Sequence, residues 1–252
     1  MRREGYDPAL FRELARVAPE SFWFRARNRL IVSSLRRHFP EARSFLEVGC
    51  GDGFVLAAVR EAFPHLRLAG LELFEEGLRL ARERLPGDVE LVRGDARELP
   101  YDGDWDAVGC FDTLEHVAED GLVLRGIHRA LRPGGGLLVL VPQHPWLWSE
   151  ADEFAHHVRR YTRRGLVDLL RESSFEVVGA TSFVSTLLPA MALSRLRSRV
   201  APRTFDPVRE LLPGPRLNRV LERMLDGERR LIERGLSLPA GGSLLVAARR
   251  GG

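Results

Sequence analysis

Lysine is missing altogether from this chain of 252 residues, so all 38 basic residues are arginines. A phosphate-gripping G-x-x-x-x-G-K-[ST] loop needs that lysine, and P-loop nucleotide hydrolysis is therefore excluded. Codon bias in a GC-rich genome explains the arginines; a hyperthermophile pattern would instead enrich lysine and glutamate. Excess charge of one sign is lacking too. The 38 arginines face 35 acidic residues, leaving a net charge of +3 and a weak long-range field that gives no strong reason to expect nucleic acid as a partner. Two cysteines, Cys50 and Cys110, cannot build a disulfide framework and read as reduced core residues. The opening MRREGYDPAL has no apolar run behind its basic residues, so no cleaved secretory signal is expected and the cytoplasm is the expected location. The longest charge-free run, 177–194, is interrupted by Gly179, Pro189 and hydroxyl residues. It reads as a buried strand leading into an apolar helix rather than a membrane span.

What is present is enough apolar residue, 44%, beside 29% charged, to bury a core of ordinary size. Residues 8–39 carry an arginine-rich amphipathic pattern stopped by Pro40, predicting two helices ahead of a sheet. Strand-like runs then alternate with helical ones. Strands are expected at 43–48, 66–73, 89–94, 105–111 and 136–142, with helices at 54–63, 75–85 and 120–131 between them. A loop rich in His, Trp and Asp follows Pro142, then a helix at 162–173, a strand at 175–183 and a last strand at 243–250. Short strands separated by longer helices predict an α/β fold with a doubly wound, mainly parallel sheet. About sixty residues of helical texture before the last strand are too long for a loop. The expected organisation is one domain over 1–183 and 241–252, its first 40 residues helical, with a helical cap inserted at 184–240.

The most informative segment is FLEVGCGDGF at 45–54, where a short strand runs into Gly49, Gly51 and Gly53 and then a helix. Glycines there let a ligand approach the backbone at the strand ends, although a turn that merely needs flexibility looks the same. Counting a dinucleotide G-x-G-x-x-G from Gly49 places Phe54 at the third glycine, which disfavours NAD. Glu47 and Asp52 would repel a pyrophosphate and suit a cationic ligand. Glu72 and Asp95 fall at the ends of the next two strands, where one acid can accept from both ribose hydroxyls and the other from an exocyclic adenine amine.

Together with LELF at 71–74, RGDARELP at 93–100, FDTLEHV at 111–117 and LRPGGGLLVLVP at 131–142, these motifs resemble the class I S-adenosylmethionine-dependent methyltransferases. The resemblance covers 23–183 and returns at the last strand. It implies a Rossmann-like seven-stranded sheet whose last strand is antiparallel, S-adenosyl-L-methionine as cofactor and S-adenosyl-L-homocysteine as product. By resemblance, Glu47, Gly49, Cys50, Gly51 and Gly53 hold the methionine part and Glu72 the ribose. Leu73 and Phe74 lie against the adenine, with Asp95 and Ala96 at its polar edge, and Phe111 and Asp112 border the transferred methyl. Among relatives, the bacterial small-molecule and glycan-cluster enzymes share an opening like FWFRARNRLI, in which Trp23 and Arg27 close over the cofactor. Trp23 as plain helix packing, and Arg25 or Arg29 in place of Arg27, stay open.

Methyl transfer from a sulfonium needs positioning and exclusion of water, plus a base when the acceptor carries a proton. His116, His144 and Tyr161 are the candidates for that chemistry, with His156 and His157 in the same loop. Asp152 and Glu153 raise the question of a metal, but the spacing matches no helical zinc pattern and no metal is expected. Arg159 and Arg160 either neutralise an anionic substrate or pair with acidic neighbours. The cap either roofs a hydrophobic substrate, forms a dimer interface or touches a membrane surface, leaving monomer and homodimer both open. The expected acceptor is a small molecule, with lipid-like and sugar-bearing metabolites among the candidates, methylated on O or N. A non-catalytic cofactor-binding protein is the alternative. An RNA methyltransferase ranks below it, since the basic RLRSRVAPR at 195–203 lacks interleaved aromatics.

Overall fold

Apolar runs of the first half become strands packed on both faces. In the computed structural model, which describes residues 8–200 and 211–251, β1 (Ser44–Val48), β2 (Arg67–Glu72) and β4 (Trp105–Phe111) are buried almost throughout. Edge strand β3 (Glu90–Arg93) is not. The seven strands are ordered β3-β2-β1-β4-β5-β7-β6. β1 to β5 run parallel, and β7 (Ser243–Arg250) inserts antiparallel between β5 (Leu131–Pro142) and β6 (Phe175–Phe183). This is the expected Rossmann-like sheet. β5 starts five residues earlier than the sequence predicted, because a bulge lets Leu131 pair with Trp105 before Gly136 pairs with Ala107.

Period-two alternation sends neighbouring side chains to two separate cores. Phe45, Leu68, Leu138, Leu140 and Leu245 face α2 (Phe22–His38), α3 (Phe54–Ala62) and α9 (Pro215–Glu233). Leu46, Ala69, Leu137, Val139 and Leu244 face α5 (Asp120–Ala130) and α7 (Arg163–Glu172). Each fully buried leucine contributes roughly 1.5–3 kcal/mol. In α2 the buried Phe22, Ala26, Leu30, Ile31 and Leu35 recur at helical spacing, which sets the helix across the first core. The opening of the chain also forms α1 (Pro8–Val17), and α4 (Glu75–Arg84) follows β2.

Helical texture before β7 resolves into two parts with different places. α8 (Leu188–Val200) follows β6, whereas α9 lies on α2. Arg29 donates to Glu222 and Asp226, and Asn218 accepts from the Phe22 amide. Most of the VRELL run at 208–212, and the end of the basic run at 195–203, lie outside the described residues. No helix among the described residues is long and apolar enough to cross a membrane.

Candidate active site

The carboxyl ends of β1, β2 and β4 meet where the strand order reverses, the place at which an open parallel sheet leaves a crevice. A cavity of about 530 Å³ opens there. Gly49 turns the chain out of β1 at φ +75°, and its amide donates to Leu71 O at 2.8 Å. An added Cβ would lie 2.3 Å from Thr113 Oγ1, so only glycine fits. Glu72, buried at the end of β2, accepts from the Gly51 amide at 3.0 Å and the Phe74 amide at 2.9 Å. Those bonds fix the loop while each carboxylate oxygen keeps a second lone pair. Burial raises the Glu72 pKa, with the backbone donors opposing it. Glu47 is buried, its Oε2 has no partner, and desolvation holds its carboxyl well above the usual range.

Most of the expected residues line this cavity: Trp23, Arg27, Glu47, Gly49, Cys50, Gly51, Glu72, Leu73, Phe74, Ala96, Phe111, Asp112 and His116. Gly53, at φ +73°, shapes the loop instead, with Leu85 packed where a side chain would go. The Cys50 thiol is buried close to Gly70 and raised well above its ordinary pKa by desolvation, so it packs rather than reacts. Of the three arginines, Arg27 lines the cavity. Arg27 sits against the Trp23 ring and donates to Asp112 Oδ2 at 2.6 Å, whereas Arg25 and Arg29 both reach Glu222 of α9.

Three expected residues are placed differently. The Asp95 carboxylate is clasped by the Arg97 guanidinium at 2.7 Å and by the Arg97 amide, so Gly94, Ala96 and Arg97 form the wall there instead. Tyr161 is buried away from the cavity and donates its hydroxyl to Asp120 at 2.8 Å. His144 stands where the chain turns at φ +64°, its ring against Trp146 and outside the cavity wall. Asp52 lines the cavity, but Arg84 at 2.6 Å neutralises its charge. Arg159 and Arg160 pair with Asp120 and Asp152, the plainer of their two readings.

Sequence reasoning passed over Glu115, and it grouped His157 with the other loop histidines without placing it at the site. A 3-10 turn at Leu114–His116 carries Glu115 fully inside, where neither carboxylate oxygen has a hydrogen-bond partner. His116 lies beside it, its pKa pulled down to about 3 mainly by burial. His157 arrives from beyond α6 (Glu150–Phe154), with its ring centroid 4.8 Å from that of His116 and Nδ1 2.9 Å from Asp152 Oδ1. The visible signal was an acid next to a histidine in FDTLEHV, but nothing local shows that His157 folds back onto it. Leu187, Met191 and Arg195, in and just before α8, also face the cavity.

Residues 46–139 match the methyltransferase domain family. A probable S-adenosylmethionine-dependent methyltransferase of Mycolicibacterium smegmatis is 31% identical over 171 residues, 66% of this chain and 64% of that one. Both matches support the class I S-adenosylmethionine-dependent methyltransferase family. A trans-aconitate 2-methyltransferase of Acidovorax ebreus is 33% identical over 140 residues, 55% of this chain and 50% of that one. These matches thus span less than two thirds of the length of either relative. Among solved structures, a SAM-dependent methyltransferase of Thermotoga maritima superposes with a TM-score of 0.58 at 19 in 20 residues or more of each chain (96% and 95%) and 16% identity, a likeness of fold.

S-adenosylmethionine, the cofactor of this methyltransferase family, suits the residues present. The unpartnered Glu47 oxygen matches its cationic end, Glu72 retains acceptor capacity for a diol, and Leu73, Phe74 and Ala96 offer an apolar slot for a flat base.

Proposed function

We propose that the protein transfers a methyl group from S-adenosylmethionine to an oxygen or nitrogen of a small organic molecule. The observation that carries this reading is continuity. One cavity runs from the glycine loop and Glu72 to the wall of Glu115, His116 and His157, beneath Leu187 and Met191. Glu47, Arg27 and the loop amides would hold and orient the cofactor, whose sulfonium would supply the methyl: the acceptor's lone pair would bond to the methyl carbon while the C–S electron pair stays on the departing sulfur. Leu187, just before α8, and Met191, near its start, help to keep water from the reacting centre, and positioning in such a site accounts for a large part of the barrier lowering. The likeness to a trans-aconitate methyltransferase supports a small organic acceptor.

Calorimetry with S-adenosylhomocysteine tests the first half, with one site per chain expected and binding lost in Glu72→Ala. Incubation of methyl-labelled cofactor with fractionated host metabolites tests the second. Labelled small molecules that disappear with Glu72→Ala support the reading. Absence of binding in the parent protein, or label found only in RNA, overturns it.

A further inference from the structure

The cavity wall beyond Thr113 carries a buried acid without hydrogen-bond partners. Glu115 is fully buried, yet both its oxygens lack hydrogen-bond partners, an arrangement that a bound cation would satisfy. The side chains around it are chemically suited to supply the rest of a cation site. Glu115, His116 and His157 each present one donor atom, and the three atoms lie within 4.8 Å of one another. His157 Nε2 is 4.0 Å from Glu115 Oε1. On its other side, His157 Nδ1 is 2.9 Å from Asp152 Oδ1. Asp152 is itself fixed by Arg160 and by the Ser149 amide. A carboxylate gripping one ring nitrogen sets the tautomer so that the other nitrogen offers its lone pair, the second partner that metal-bound histidines regularly have. A first-row ion sits about 2.0–2.2 Å from such ligands, so small side-chain rotations would close the set.

We propose that Glu115, His116 and His157 bind one divalent first-row transition ion at the acceptor end of the cavity, with Asp152 as the positioning residue for His157. Two imidazoles and one carboxylate favour an ion such as Zn²⁺ or Mn²⁺ over the oxygen-preferring Mg²⁺. Three protein ligands leave coordination positions open toward the cavity, the arrangement of a reacting rather than a structural site. Resting on the methyltransferase reading, this assigns the acceptor class. The ion would take a hydroxyl oxygen and lower its pKa, the proton would pass to solvent, and the resulting oxygen anion would bond to the methyl carbon.

The full chain, stripped with chelator, is titrated with ZnCl₂ and separately with MnCl₂ by calorimetry, while Co²⁺ absorption reports ligand geometry. One ion per chain is expected. Glu115→Gln and His157→Ala should each weaken binding about 100-fold, and Asp152→Asn about 10- to 100-fold. His65→Ala, at an exposed histidine elsewhere, should leave it unchanged. Glu115→Gln keeps the shape of the side chain and decides the matter if His157→Ala fails to fold. No saturable binding, or parental affinity in Glu115→Gln, overturns the proposal. S-adenosylhomocysteine binding, measured in parallel on the same samples, separates failure of the ion site from failure of the methyltransferase reading.

Discussion

Gly49→Ala isolates the geometric demand of the loop on which the cofactor reading stands. Two independent costs arise at this position. The backbone is left-handed, at φ +75°, which penalises an L side chain by roughly 1–2 kcal/mol. The new methyl would also fall 2.3 Å from Thr113 Oγ1 and 2.6 Å from Thr113 Cγ2, and overpacking of that kind costs typically 1–3 kcal/mol. Together they give a loss of about 2–5 kcal/mol. At roughly 2–4 °C per kcal/mol for a chain of this size, the melting temperature should fall by about 5–20 °C. Thr113→Ala removes both atoms of closest approach and leaves only Thr113 Cβ, 3.0 Å away, so it should recover the steric share and not the conformational one. A double-mutant cycle read by thermal and urea melts should therefore show a favourable coupling of about 1–3 kcal/mol between the two substitutions. S-adenosylhomocysteine affinity should remain impaired in the double variant, because a displaced loop amide is not restored by relief at Thr113. A parental melting temperature for Gly49→Ala, or an equal penalty in both backgrounds, would refute the reasoning.

Burial raises the pKa of Glu47, so a cationic ligand beside it must favour the anion and release a proton on binding. Cofactor affinity should thus rise with pH through that raised pKa, with proton release visible in calorimetry across buffers of different ionisation enthalpy, and Glu47→Gln should flatten the dependence. In the ligand-free protein the same shift makes Glu47 stabilising only while protonated, a contribution lost as pH rises through the folded pKa; Glu47→Gln should therefore raise the melting temperature more at high pH than at low. Arg27→Ala leaves Asp112 without its guanidinium in a largely buried site and should cost about 3–5 kcal/mol, most of it recovered when Asp112→Asn is added. Glu228 of α9 accepts from the Ser185 and Thr186 amides ahead of α8, so Glu228→Ala should destabilise by about 3 kcal/mol, checked by urea melts.

Legibility in the sequence followed the range of the interactions involved. Strand β1 and its loop could be read because a short strand (SFLEV), three glycines and a helix start are all encoded within the eleven residues 44–54, and the backbone there has few alternatives. Glu72 was legible for the same reason, since the end of β2 lies one helix away and parallel pairing brings it to the same edge. Asp95 had the right strand-end position, but its carboxylate was claimed by Arg97, two residues on, a local competitor that strand position does not reveal. Tyr161 and His144 went astray at longer range. They share a loop with His157, and only the fold decides which of the three turns inward. Asp120 draws off the Tyr161 hydroxyl, the turn at Pro145 carries His144 toward Trp146, and Asp152 holds His157 against Glu115. The split of the expected cap has the same cause. The apolar start of α8 and the amphipathic α9 read alike as cap helices, yet the arginines of α2 pair with Glu222 and Asp226, which sets α9 against α2, while α8 lies next to the cavity. Where partners lie far apart in the chain, burial of Leu225 and Ile232 against the α2 core and the ion pairs beside them set the arrangement together, and the periodicity of either helix alone does not name its partner.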